Sequence, residues 1–282
     1  MQLTAFANWL NTAFAGYDRA ILSFLHKLAE LIGVVLTPLM KLITLLGEKG
    51  LILILLALVL MLFSRTRKLG ICMFGAIACG AILTNFILKD WVARPRPFET
   101  LELYRNWWRF VGSPAEDGAS FPSGHVTAAT AGLAALCLVR GRRWILPSAI
   151  WVLLMAVSRN YLMAHYPSDV LFGVLVGLIA AVIAYAITRL IYRLLEEHAD
   201  LPLCELLLNF DLPLPAALPR FFRRAPREDA GEATPEAGKA PEAEGTPETG
   251  RKPERRAAVR SVKLPVPPIR TKSEYEGKHL KK

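Results

Sequence analysis

Three short stretches of this chain place ionisable residues at the ends of apolar runs. Polar groups there are costly to hold and are functional candidates for that reason. The first stretch is Lys89-Asp90-Trp91-Val92-Ala93-Arg94-Pro95-Arg96-Pro97. Lys89 and Arg96 stand seven apart, about two helical turns, so a helix continuing through both puts them on one face unless Pro95 ends it first. Two fixed cations suit a phosphate dianion, and a guanidinium binds it with two parallel hydrogen bonds. The second stretch is Phe121-Pro122-Ser123-Gly124-His125, directly before an apolar helix. Ser123 can cap, Gly124 lets backbone approach closely, and a helix N-terminus offers free N–H groups to an anion. His125 in that first turn can pass a proton to a leaving oxygen.

The third stretch runs from Ser158-Arg159 to His165-Tyr166-Pro167-Ser168-Asp169. His165 and Asp169 are four apart and share a face if one helix holds both, but Pro167 and Ser168 suggest that a helix begins between them. In either arrangement Asp169 can reach an imidazole nitrogen and fix its tautomer, leaving the other nitrogen of His165 to attack phosphorus. Each stretch alone also reads as ordinary juxtamembrane chemistry: a snorkelling basic cluster, a plain N-cap, an interfacial ion network. Together they supply three cations, an amide cradle, a nucleophilic His with its carboxylate and an acid His. That inventory fits phosphoryl transfer through a phosphohistidine.

The elements that must position these residues are membrane helices. The 282 residues are 53% hydrophobic, and residues 1–195 carry most of that, whereas 224–282 are polar and charged. Apolar runs at 51–63 (extended back through 43–46), 70–88, 126–139, 144–157 and 170–187 predict five spans. The stretch 20–46 is apolar but broken by His26, Lys27, Glu30, Pro38 and Lys41. It reads as an interfacial amphipathic helix followed by a turn, with a sixth span as the alternative. The expected fold is therefore all-α, a polytopic bundle of five to six spans. Its parts are an N-terminal interfacial segment (1–46), a transmembrane core (47–195), an interfacial segment (196–223) and a disordered cytoplasmic tail (224–282).

The net charge is +10. In a chain with several spans, such charge points to anionic lipid and the cytoplasmic side, and we expect no nucleic-acid partner. The basic turns 64–68 and 140–143 and the exit after Ile187 then face the cytoplasm. The loop 89–122 and the turn 158–168 share the outer face. Four cysteines (Cys72, Cys79, Cys137, Cys204) show no metal-type spacing, so neither a zinc site nor a disulfide framework is expected.

The three stretches resemble the tripartite signature of the type 2 phosphatidic acid phosphatase superfamily, which includes the vanadium haloperoxidases: K-x6-RP, PSGH and SR-x5-H-x3-D. The resemblance covers roughly residues 18–195. It implies that Lys89, Arg96 and Arg159 bind phosphate oxygens, assisted by Ser123 and the Gly124 backbone. It also implies that His165 is the nucleophile, Asp169 its partner and His125 the general acid, with no metal and no cofactor. The implied substrate is a lipid phosphate or pyrophosphate such as undecaprenyl pyrophosphate or phosphatidic acid. The haloperoxidases are soluble, and the apolar spans argue against that branch. A lipid phosphotransferase and a non-catalytic scaffold that keeps the pocket stand as alternatives.

Overall fold

The computed structural model describes residues 3–212. The expected tail at 224–282, and the part of the interfacial segment from 213 to 223, lie outside the described residues. Every regular element among those described is helical: α1 (Ala5–Ala13), α2 (Ala15–Leu46), α3 (Leu51–Met61), α4 (Ser64–Ala81), α5 (Lys89–Val92), α6 (Pro97–Thr100), α7 (Glu102–Phe110), α8 (Gly124–Arg140), α9 (Ile145–Tyr161), α10 (Pro167–Glu197) and α11 (Pro202–Asn209). Among the described residues, three stretches can cross a membrane by length and composition: Ala15–Met61, Ser64–Thr100 and Pro167–Glu197. Helix α8 is a shorter apolar helix, and its 17 residues rise about 26 Å. Large apolar side chains lie exposed along α3 (Leu51, Ile52, Leu55, Leu56) and α10 (Leu171, Leu175, Ile179, Val182). Exposed apolar surface on that scale would aggregate in water and is matched by lipid. The fold is an all-α membrane bundle.

Small residues set its centre. Ala57, Ala76, Ala131, Ala135, Ala180, Ala181 and Ala184 are buried where α3, α4, α8 and α10 meet. A Cβ on Gly177 would come within 2.7 Å of the Thr130 Cβ and 2.8 Å of the Thr127 carbonyl oxygen. Glycine there lets α10 lie directly on α8, the close approach that lipid-embedded helices use in place of a hydrophobic drive. On α4, Ala76 and Gly80 are buried, while Ala78 and Ala81 line a cavity.

A kink at Ile32 (φ −133°, ψ 20°) interrupts 20–46, so α2 is two helical segments, the second of which runs through Pro38. Its first half lies across the end of the bundle that holds the three motifs. There Leu22 packs with Tyr104, Met163 and Tyr166. Its second half follows α9, with a Thr37–Tyr161 hydroxyl contact of 2.7 Å and Thr44 bonding Ser158 at 3.1 Å. Tertiary packing on α9 overrides the broken apolar pattern.

The basic turns gather at the other end. Arg140 Nη2 reaches the Arg65 carbonyl at 3.5 Å, and the Lys68 ammonium sits 5.1 Å over the Tyr192 ring. Segment 202–212 joins them, with Arg67 donating to the Leu207 and Phe210 carbonyls.

Candidate active site

Helices α4, α8, α9 and α10 bring the three motifs to one end of the bundle. Residues 82–88 form a π-helical stretch, and α5 follows it with Lys89 as its first residue. Such an extra residue per turn re-aims the side chains that follow, and it often does so at functional sites. The helix stops at Val92, because Ala93 is left-handed (φ 48°). Lys89 and Arg96 are therefore not two turns of one helix, yet both line the same cavity of about 620 Å³. Gly124, His125, His165, Glu48, Glu116 and Asp117 line it too. One wall is apolar, made by Ile54, Phe74, Ile77, Ala78 and Ala81.

Ser123 occupies the N-cap of α8 but caps nothing; its buried hydroxyl has no partner among the described residues. Its backbone N–H donates to the Asp169 carbonyl at 3.1 Å. His125 faces Glu48, with Nε2 and Oε2 3.4 Å apart. Arg159 is fully buried, and its Nε and Nη1 have no partner among the described residues. Neither Ser123 nor Arg159 belongs to the cavity lining. Both lie behind it, with donor capacity unspent, as an anion cradle requires.

A reversal after α9 places His165. The Met163 N–H donates to Asn160 O and the Ala164 N–H to Arg159 O, both at 3.1 Å. This is the double bond pattern of a helix C-terminus closed by a left-handed residue. That residue is Met163 (φ 56°), fully buried, where glycine is usual. The chain then restarts as α10 with Pro167 first and Asp169 in its first turn, so His165 precedes the helix. His165 Nδ1 lies 2.7 Å from the Ser120 carbonyl, which accepts only if Nδ1 carries the proton. That fixes the tautomer and leaves the lone pair on Nε2. Burial, with Arg159 and Arg96 nearby, holds the His165 pKa well below its ordinary value, so the imidazole stays neutral.

The expected role of Asp169 takes a different form. Its Oδ2 is 3.9 Å from His165 Nδ1, beyond a direct hydrogen bond. Oδ2 instead accepts from Ser120 Oγ at 2.5 Å and from the Tyr166 N–H at 3.0 Å. Asp169 thus holds the two segments that hold the imidazole. Oδ1 accepts from Arg94 Nη1 at 2.6 Å.

Arg94, Asp18, Ser120, Glu116 and Glu48 escape sequence reasoning. Arg94 sits in the first motif and reads there as one more juxtamembrane cation. It is 1% exposed and bonds Asp18, Asn11, Ser168 and Asp169. Asp18 carried a usable signal, as a lone carboxylate opening an apolar helix. Ser120 acts through its carbonyl, which every residue has. No three His, Cys, Asp or Glu among the described residues cluster closely enough to hold a metal ion.

Residues 69–193 match the PAP2 superfamily, a stretch that contains all three motifs. That stretch is similar to members of the PAP2 superfamily. The chain is 32% identical over 118 residues to an undecaprenyl-diphosphatase of Sulfolobus acidocaldarius, covering 42% of this chain and 54% of that one. It is 33% identical over 111 residues to a lipid A 1-phosphatase of Rhizobium etli, covering 38% and 44%. The matches thus span about half the length of these curated relatives. No solved structure matches the chain significantly. Every residue of the cavity except Glu48 and Ile54 falls inside the PAP2 stretch, and so does the apolar α4 face of its wall.

Proposed function

We propose that this chain is a membrane phosphatase that hydrolyses a lipid phosphate or pyrophosphate through a phosphohistidine on His165. One observation carries the reading: the Nδ1–Ser120 hydrogen bond leaves a neutral imidazole with its Nε2 lone pair at a cavity lined by Lys89, His125 and the start of α8. Nε2 attacks phosphorus, and the bond from phosphorus to the lipid oxygen breaks as His125, protonated when the phosphate anion lies beside it and offsets the surrounding cations, donates that proton to the oxygen. Water then attacks the phosphohistidine, giving its proton to neutral His125. The P–N bond breaks, and inorganic phosphate leaves. Lys89, Arg96, Arg159, Ser123 and the α8 N-terminus serve the phosphate oxygens, where charge builds in the transition state. The family chemistry needs no metal.

The apolar wall of Ile54, Phe74 and Ile77 supports a lipid over a soluble ester, as do the relatives named for an undecaprenyl diphosphate and for lipid A. Detergent-solubilised protein in EDTA is expected to release phosphate from at least one of undecaprenyl pyrophosphate, phosphatidic acid and phosphatidylglycerophosphate. Silence on all three, or a strict Mg²⁺ requirement, refutes the reading.

The positive-inside rule puts the end holding Arg65, Arg67, Lys68 and Arg140 in the cytoplasm, with the tail, and the cavity on the outer face. A Ser113→Cys variant is then labelled in intact cells by a membrane-impermeant thiol reagent. Labelling that appears only after lysis reverses the orientation.

A further inference from the structure

Glu116 stands on the loop between α7 and α8, and it lines the cavity. Its carboxylate bridges two of the cations assigned to phosphate. Oε2 lies 3.2 Å from Arg96 Nη1, and Oε1 pairs with Arg159 Nη2. The two guanidinium groups differ in what they have left. Arg96 gives most of its donors to the backbone, with Nε to Gly118 O at 3.1 Å, Nη2 to Asp117 O at 2.7 Å and Nη1 to Ala164 O at 2.8 Å, which leaves a single Nη2 N–H for an anion. Arg159 keeps Nε and Nη1 buried and without partners among the described residues, yet it does not reach the cavity lining. Glu116 bonds it from the cavity side.

We propose that Glu116 is an internal counter-ion that the substrate phosphate must displace to reach Arg159. A carboxylate and a phosphate compete for the same guanidinium edge, because both accept parallel N–H bonds from it. The two anions also repel when held together in a site of low dielectric. Arg96 holds the carbonyls of Asp117 and Gly118 and Trp108 holds that of Pro114, so the backbone beside Glu116 is fixed and release takes rotation of the Glu116 side chain alone. The loop from Gly112 to Gly118 is mostly exposed, which leaves room for the rotated carboxylate. Displacement disfavours occupation by weak anions that cannot match the carboxylate. This inference rests on the phosphatase reading for the identity of the anion.

The test is calorimetric titration of inorganic phosphate into the full chain in detergent, for wild type and for Glu116→Gln. The amide keeps the size and loses the charge. If the displaced arrangement is the minor one in wild type, phosphate affinity is reduced by its fractional population. The variant is therefore expected to bind phosphate at least about tenfold more tightly. Affinity within about threefold of wild type, or weaker, overturns the proposal and makes Glu116 a permanent structural partner of Arg96 and Arg159. If the Gln variant gives no cooperative melt, Glu116→Ala is read in its place against the same two outcomes. Lipid phosphate turnover by wild type is measured on the same preparation. Its absence removes the phosphatase reading, while the affinity ratio still decides the role of Glu116.

Discussion

Replacing His165 by alanine is expected to lower turnover of a lipid phosphate by at least about 10⁴-fold, the scale of losing a nucleophile from a preorganised site. The protein should still fold. His165 is buried, but it contributes one internal hydrogen bond to a carbonyl, and its removal leaves no charge stranded. The same variant should fail to accumulate a labelled phosphoenzyme after an alkaline quench, which preserves a P–N bond that acid would cleave. Residual activity above about one per cent would move the nucleophile elsewhere. The pH dependence has a definite sign. The folded pKa of His165 lies well below the ordinary value near 6.5, because burial and the guanidinium groups of Arg159 and Arg96 disfavour a second proton. Below that ordinary value the unfolded chain takes up a proton that the folded site refuses, so stability is full above it and falls as pH drops. The nucleophile, by contrast, remains competent down to the depressed pKa.

The spacing of the three motifs was enough to find the cavity lining at Lys89, Arg96, Gly124, His125 and His165, because each motif sits at a helix end and the helices fix where ends meet. What spacing could not reveal was the means of support. The imidazole is oriented by the main-chain carbonyl of Ser120, and Asp169 works through the Ser120 hydroxyl and the Tyr166 amide. Carbonyls have no sequence signature, and the serine lies 45 residues from the histidine. Glu116 was invisible for a related reason: its loop has no periodicity, and its partners are set by the fold. Scattered charges make the N-terminal segment read as interfacial, but they do not reveal that Asp18 is buried in the site's support, bonded 150 residues away to Ser168. The apolar pattern identified helices well and said nothing of which polar residue on them would be buried against which.

Arg94→Met is expected to destabilise the protein by about 3–5 kcal/mol, the cost of removing one member of a buried ion network. The guanidinium is held between two carboxylates, Asp18 Oδ2 at 3.0 Å and Asp169 Oδ1 at 2.6 Å, and it lies 3.9 Å over the Tyr166 ring. Without it two buried anions face each other across α2 and α10 with no cation between them. The loss should therefore show in the melting temperature as well as in activity, which separates Arg94 from His165. Asp18→Asn is expected to be milder. The amide keeps an acceptor for the Ser168 N–H, and Arg94 keeps Asp169. The decisive measurement is the double variant. If Arg94 neutralises a shared pair of carboxylates, Asp18→Asn added to Arg94→Met should return part of the lost stability, because it removes one of the stranded charges. A double variant whose loss equals or exceeds the sum of the two single losses would mean that α2 is not tied to the site through this pair. The first half of α2 would then be held by the Asp18–Ser168 bonds and by the packing of Leu22 against Tyr104, Met163 and Tyr166.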